Sequence, residues 1–163
     1  MKKVIFIFSA VLALTLIGCE ADFSKGINKD YKTGISVTND GLSFDEYYLS
    51  VDNERLENNE VKLGQKVYLN FTGVDGFAEV NGAVFPGAAM QVTDRDGNQV
   101  LQEVDLFADY NTKGVDLTDA KNLSVSLVVG DPMVAGETYN WKVKFWDKKE
   151  AGEIRADLDI EVK

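Results

Sequence analysis

The chain contains no histidine and only one cysteine, Cys19, among its 163 residues. Without histidine, every catalytic triad or dyad that uses imidazole as its general base is excluded, and so are zinc sites built on histidine. A single cysteine cannot form a disulfide within one chain, so the hydrophobic core must stabilise the fold by itself. Carboxylates are abundant, and paired acids could in principle carry out glycoside hydrolysis.

Positive charge is also scarce. The 17 basic residues face 27 acidic residues, which gives a formal net charge of −10. A negative net charge opposes binding to a phosphate backbone, because that binding depends on lysine and arginine side chains that displace counterions. Nucleic acid is therefore excluded as a main partner. The apolar fraction of 45% and the aromatic fraction of 10% are ordinary for a globular protein, and they predict one domain with a real core.

The N-terminus has the organisation of a targeting segment. Lys2 and Lys3 form a cationic start, and the uncharged run VIFIFSAVLALTLIG that follows is too short to span a bilayer comfortably. Cys19 stands at the end of this run, directly before the acidic residues Glu20 and Asp22. The pattern predicts a leader that is removed from the mature protein.

The residues Leu16, Ile17, Gly18 and Cys19 resemble the lipobox of bacterial lipoproteins. That resemblance implies cleavage before Cys19, a diacylglyceryl group on its sulfur and acylation of the freed amine. Each buried methylene of an acyl chain contributes roughly 0.8 kcal/mol, so two or more chains anchor a protein stably. The resemblance therefore implies a membrane as partner, through the lipid at Cys19, and a location in the cell envelope. The expected membrane is the outer membrane, and the sequence does not distinguish an anchor on its periplasmic face from one on its outer face.

These features divide the chain into three parts. Residues 1–18 are predicted to be the cleaved leader, and residues 19–33, which mix glycine, lysine, asparagine and aspartate without a period, are predicted to be a flexible tether. Residues 34–163 are predicted to form the folded domain.

Alternation of apolar and polar residues runs through this domain, and it predicts strands with one buried face. Polar turns separate the alternating segments at Asn39–Gly41, in the run DRDGN and in the run KKEAGE. The predicted inward-facing side chains are Val67, Leu69, Phe71, Leu123, Val125, Leu127, Val129, Tyr139, Trp141, Val143, Phe145, Ile154, Ala156, Leu158, Ile160 and Val162.

Seven or eight such strands, without a convincing amphipathic helix, predict an all-β fold, a single antiparallel two-sheet β-sandwich. The segments VKLGQKVYLNF and GETYNWKVKFWDKKEAGEIRADLDIEV resemble immunoglobulin-like modules of bacterial surface proteins. The resemblance implies an immunoglobulin-like arrangement of these strands. Because the disulfide of antibody domains is missing, Trp141 is expected to pack against aliphatic neighbours instead.

The segment TDRDGNQVLQE has some features of a calcium loop. Asp94 and Asp96 precede Gly97, and Glu103 falls at the terminal position of the pattern, but Val92 occupies the first ligand position. Asp, Gly and Asn also form tight turns, and the flanking residues alternate as strands. The sequence therefore favours a plain hairpin turn over a calcium site, and no metal or other cofactor is expected.

Two features could belong to a binding surface. The glycine-rich segment TGVDGFAEVNGAVFPGAAM contains Phe77 and Phe85, which either cover an open end of the sandwich or form an exposed aromatic contact surface. Trp146 falls on the polar side of its strand by alternation, where an indole either stacks on a ligand or covers the adjoining turn. Trp146, Phe77 and Phe85 are the candidate ligand-binding residues, and no catalytic pair is named.

Taken together, the sequence predicts a lipid-anchored, non-enzymatic module of the cell envelope that binds a glycan or an envelope protein. An alternative is a structural subunit that joins its neighbours through a sheet edge, for which the regular C-terminal strand is the candidate. A carboxylate-based hydrolase is the third hypothesis, and it requires two acidic side chains close together in a cleft.

Overall fold

The computed structural model of the protein describes residues 25–163, which form two β-sheets packed face to face. The leader, Cys19 and the first part of the predicted tether lie outside the described residues. The eleven strands are β1 Lys25–Lys29, β2 Ser36–Asp40, β3 Glu46–Val51, β4 Glu54–Arg55, β5 Glu60–Val61, β6 Lys66–Thr72, β7 Pro86–Thr93, β8 Gln99–Glu103, β9 Asn122–Val128, β10 Thr138–Asp147 and β11 Glu153–Val162.

The larger sheet has seven strands in the order β1-β2-β11-β10-β7-β8, with β5 beside the end of β11. The smaller sheet has four strands in the order β4-β3-β6-β9. Neighbouring strands are antiparallel except for the short parallel pair of β5 with β11. In the described part of the chain, helix is limited to a 3-10 turn at Ala108–Asn111 and to α1, Leu117–Ala120. Between residues 25 and 163, no helix has the length and apolar character needed to cross a membrane.

The alternating segments form strands because one face of each strand can be buried against the opposite sheet. Every predicted inward-facing side chain, from Val67 to Val162, is buried. The two longest strands, β10 and β11, pair from Thr138 opposite Glu161 to Trp146 opposite Glu153, so their apolar faces coincide. The predicted all-β two-sheet sandwich is confirmed, with eleven strands instead of seven or eight because the short polar strands give no alternation signal.

The core joins the two sheets through aromatic contacts. Phe71 of β6 meets Phe145 of β10 edge to face, with ring centroids 5.5 Å apart. Trp141 is fully buried and lies between Val92 and Leu158 on the adjoining strands, so the expected aliphatic neighbours are present. Burial of each such large side chain contributes about 1.5–3 kcal/mol.

The predicted tether is wrong in its second half. Residues Lys25–Lys29 form the edge strand β1, which pairs with β2 in an unbroken antiparallel register. Its side chains are largely exposed, so a sequence pattern does not reveal it. Backbone pairing with β2 and the ion pair between Lys25 and Asp40, at 3.0 Å, hold it instead.

Two connections differ from those that the sequence indicates. The turn predicted at Asn39–Gly41 is not formed there: Asn39 and Asp40 are the last residues of β2, and from Gly41 the chain leaves the larger sheet for β3 in the smaller sheet. Gly41 has a φ of 77° there, a conformation that glycine adopts without strain. The C-terminal strand β11 lies between β2 and β10, so it offers no free edge and is not the edge that an assembly subunit would use.

Candidate functional site

The predicted aromatic loop surface is not formed. Phe77 and Phe85 are only 8% and 7% exposed, and Phe77 belongs to the hydrophobic core. The loop is fixed by paired backbone hydrogen bonds between Val84 and Val115 and by the Ala78 amide, which donates to Asp147. The two phenylalanines therefore cover the end of the sandwich. The alternative interpretation, that they form an exposed aromatic contact surface, is wrong.

Trp146 lies on the outer face of β10, as alternation predicts, and its side chain is half-buried. Gly87, its cross-strand partner on β7, lies directly under the indole, and a methyl group at that position would overlap the ring. The absence of a side chain at Gly87 thus lets the indole lie flat against the sheet. The ammonium of Lys144 lies 5.6 Å from the ring centroid on the same face. Trp146 is therefore an oriented platform and not a freely rotating side chain.

A groove of about 600 Å³ opens on the outer face of the seven-stranded sheet, one row of residues away from Trp146. Ala89 on β7, opposite Lys144 of β10, contributes a small side chain to its lining, and Gln91 on the same face of β7 lies opposite Gln102 of β8. The other side chains on its walls are mostly polar and come from β2, β7, β8, β10 and β11. They include Ser36, Thr38, Gln91, Glu103, Lys142, Arg155 and Asp157.

The charged side chains of this face are held in ordered pairs. Glu153 accepts from the Nε and a terminal nitrogen of Arg155, at 2.6 and 3.0 Å, and forms an ion pair with Lys144 at 2.9 Å. The hydrogen bond from Arg155 is the main reason that the pKa of Glu153 is lowered, with Lys144 adding to it. The same bond raises the pKa of Arg155. Lys144 and Arg155 are direct cross-strand neighbours, and Glu153 offsets their mutual repulsion.

A second polar network lies beside the first. The amide nitrogen of Asn140 donates to Asp157 at 2.7 Å and to Asp159 at 3.0 Å, and Lys142 pairs with Asp157 at 3.8 Å. Such mutual contacts limit the rotamers of long side chains before any ligand arrives. The groove therefore offers amide, hydroxyl, ammonium, guanidinium and carboxylate groups, and the Trp146 ring lies one row of residues outside its lining.

The segment with calcium-loop features contains the hairpin turn between β7 and β8, which is the structure that the sequence favours. One carboxylate oxygen of Asp94 accepts from the backbone amides of Asp96 and Asn98, and the other accepts from the Asn98 side chain. These hydrogen bonds, with that of the Asn98 side chain the strongest, lower the pKa of Asp94. Over residues 25–163, no group of three or more His, Cys, Asp or Glu side chains is arranged to hold a metal ion.

Asp147 and Lys148 fix the loops beneath the Trp146 platform, a role that the sequence gives no sign of. Asp147 is 5% exposed and accepts from the backbone amides of Ala78 and Lys149, at 2.6 and 2.8 Å. The Lys148 ammonium pairs with Asp105 at 2.8 Å and donates to the Phe107 carbonyl at 2.9 Å. Alternation alone describes this pair only as polar neighbours of Trp146.

The smaller sheet has an aromatic face of its own that sequence reasoning missed. Tyr48 and Tyr68 are half-buried on its outer side, and the Arg55 guanidinium lies 4.6 Å from the centroid of the Tyr48 ring. Asn70, between them, donates to Ser50 and accepts from Ser124, each at 2.9 Å. Alternation in QKVYLNFTG already places Tyr68 and Asn70 opposite the core face, so this surface could have been found. The groove of the larger sheet has no residue of this face in its lining.

The fold is a two-sheet β-sandwich, and the site is an open groove on its larger sheet that many polar and charged side chains line. Among solved structures, the chain is similar to the C-terminal domain of wzt, with a TM-score of 0.54 and 9% sequence identity. The similarity covers 88% of this chain and 79% of that chain, and at such low identity it shows the fold alone. No protein-family model and no curated protein matches the sequence.

Proposed function

We propose that the protein is a non-enzymatic binding module that takes a glycan in the groove of its seven-stranded sheet. The observation that carries this proposal is the combination of the groove, its paired polar side chains and the indole held flat over Gly87. A sugar ring presents hydroxyl groups around its rim and an apolar face of C–H groups. The groove supplies hydrogen-bonding partners for the first, and Trp146 supplies a stacking surface for the second.

The polarity of the groove favours a glycan over a protein partner. The centre of a protein interface is depleted of charged residues and built around apolar anchors. Here Lys142, Lys144, Arg155 and Asp157 line the groove itself. Groups that are already paired lose little conformational entropy on binding, which supports the recognition of a hydroxyl-rich ligand.

The carboxylates of Asp157, in the groove lining, and of Glu153, next to it, favour binding over hydrolysis. A glycosidase needs one carboxyl group that is protonated near neutral pH, and therefore one whose pKa is raised. The pKa of Glu153 is lowered, and its two oxygens are engaged by Arg155 and Lys144. Asp157 in turn accepts from Asn140 and pairs with Lys142. These carboxylates are suited to orienting cations and accepting hydrogen bonds.

Replacing Trp146 by Ala tests the site. The variant is expected to bind the ligand about two- to tenfold more weakly, because a stacking contact of this kind contributes about 0.5–1.5 kcal/mol. The probe is a panel of soluble bacterial polysaccharides in affinity electrophoresis, followed by calorimetry with an oligosaccharide of the one that retards the wild type most. Tyr68→Ala, which removes an aromatic ring from the outer face of the smaller sheet, is the matched control. Retardation by none of the panel, or weakening by Tyr68→Ala and not by Trp146→Ala, would refute the proposal.

We place the module at a membrane surface through a lipid on Cys19, an assignment that rests on the lipobox resemblance. Tethering raises the effective concentration of a surface module, so that a weak glycan contact suffices for retention. Mass spectrometry of the protein from a membrane fraction is expected to show a chain that begins at Cys19 and carries acyl groups. The Cys19→Ala variant should remain uncleaved and unacylated. An intact Met1 and a free thiol in the wild type would contradict the anchor.

A further inference from the structure

The strand β9, Asn122–Val128, is an outer edge of the four-stranded sheet. Within the part of the chain that the structure describes, its only strand partner is β6, to which it pairs without any register shift. An exposed edge presents unpaired backbone amides and carbonyls, and proteins usually protect it with lysine, proline or a bulge. The sequence of β9, NLSVSLV, has neither lysine nor proline, and its pairing with β6 has no bulge.

The other edges of the two sheets are protected. The edge strand β1 begins and ends with lysine, at Lys25 and Lys29. The edge strand β4 has only two residues, and β8 has five residues beside a register shift at Val92 and Thr93. The strand β5, which pairs only with β11, has two residues, so at seven residues β9 is the longest of the five outer strands of the described chain. Its Val128 is also 59% exposed, although it is apolar.

The sequence of β9 is complementary to itself. Around Val125 it reads Leu-Ser-Val-Ser-Leu, which is the same in both directions. Antiparallel pairing of two copies in the register centred on Val125 places Leu123 opposite Leu127 of the second copy. It also places Ser124 opposite Ser126 of the second copy. The apolar residues of both strands then stay on the core side, and the serines stay on the outer side.

Charge also favours a second copy as the partner. The chain carries a net charge of −10, which opposes the approach of two copies over most of their surfaces. The strand β9 has no charged residue, so this edge adds no repulsion. Lys121 precedes the strand and Asp131 follows it, and both are exposed. Antiparallel pairing therefore brings Lys121 of one copy to the end of the strand where Asp131 of the other copy lies.

We propose that β9 pairs with β9 of a second copy of this chain, about a twofold axis at Val125, to form a continuous eight-stranded sheet. The groove lies on the other sheet of each copy, so this pairing leaves it open. A dimer would present two grooves at once. The pairing does not depend on what the groove binds.

Sedimentation of the purified full chain in detergent solution, over a range of concentrations, tests the proposal. The wild type is expected to show a monomer–dimer equilibrium. Ser126→Lys should raise the dissociation constant at least about tenfold, because it puts a charge on each edge strand at the join. Thr72→Lys, which adds a lysine to the same face on the central strand β6, should dimerise like the wild type. A wild type that stays monomeric, or a Ser126→Lys variant that dimerises equally well, would overturn the proposal.

Disulfide formation tests the register independently. Opposed residues in antiparallel strands have Cα atoms about 4.5–5.5 Å apart, which is within the range of a disulfide. In a Cys19→Ala background, a mixture of Ser124→Cys and Ser126→Cys chains is expected to form covalent dimers that contain one chain of each kind. Each variant alone should cross-link much less, because its cysteines are not directly opposite. Equal cross-linking in all three samples would rule out this register.

Discussion

Replacing Ala89 by Phe is expected to abolish glycan binding by the groove while leaving the fold intact. Ala89 lines the groove, and it faces outward from β7 opposite Lys144. A phenyl ring there would fill the space and separate the ligand from the polar side chains. Loss of two or three hydrogen bonds, each worth about 1 kcal/mol, corresponds to at least about a 30-fold weaker affinity in calorimetry.

The same substitution should leave thermal stability nearly unchanged, because aromatic side chains are well accommodated on strand surfaces. Thr93→Phe is the matched control, since it adds the same ring to the same face of β7 but outside the groove lining. That variant should bind like the wild type. If Ala89→Phe binds as tightly as the wild type, the ligand does not occupy the groove.

Replacing Asp147 by Ala is expected to lower the free energy of unfolding by about 3 kcal/mol. The carboxylate is buried and accepts from the backbone amides of Ala78 and Lys149. Without it, both amides lose their acceptor at a buried site, and each such loss costs about 1–3 kcal/mol. Urea unfolding monitored by tryptophan fluorescence measures the change.

Asp147→Asn separates hydrogen bonding from packing, because the amide keeps one acceptor oxygen and should therefore recover part of the loss. Asp96→Ala, at an exposed position of the β7–β8 turn, serves as the surface control and should change stability by less than about 0.5 kcal/mol. An effect of Asp147→Ala no larger than that of Asp96→Ala would show that the carboxylate does not fix the loop.

The individual strands could be predicted because alternation is a local property. In β10 and β11, period two identifies which side chains are inward, and it places Trp141 in the core and Trp146 on the outer face. The DRDGN hairpin was predictable for the same reason, since the turn residues and both flanking strands lie within one short segment. Strand β1 was not, because its residues alternate too weakly to separate it from a tether.

The partners of the strands could not be predicted from alternation. The sequence alone suggests that the C-terminal strand is a candidate edge, whereas pairing with β2 and β10 puts β11 inside the larger sheet. Phe77 and Phe85 were open to either interpretation, and contacts with distant segments at Val115 and Asp147 decide in favour of burial. The groove was missed as well, because its walls come from five strands that are far apart in the sequence.

By itself, the sequence determined the all-β class, the inward-facing residues and the exclusion of imidazole and disulfide chemistry, since these follow from composition and from spacing of two residues. The tertiary structure decided the order of strands, the cover over the sandwich end and the assembly of the polar groove beside Trp146. These depend on which strands pair across long stretches of chain, and the free energy of that pairing depends on the sum of many contacts that no local segment contains.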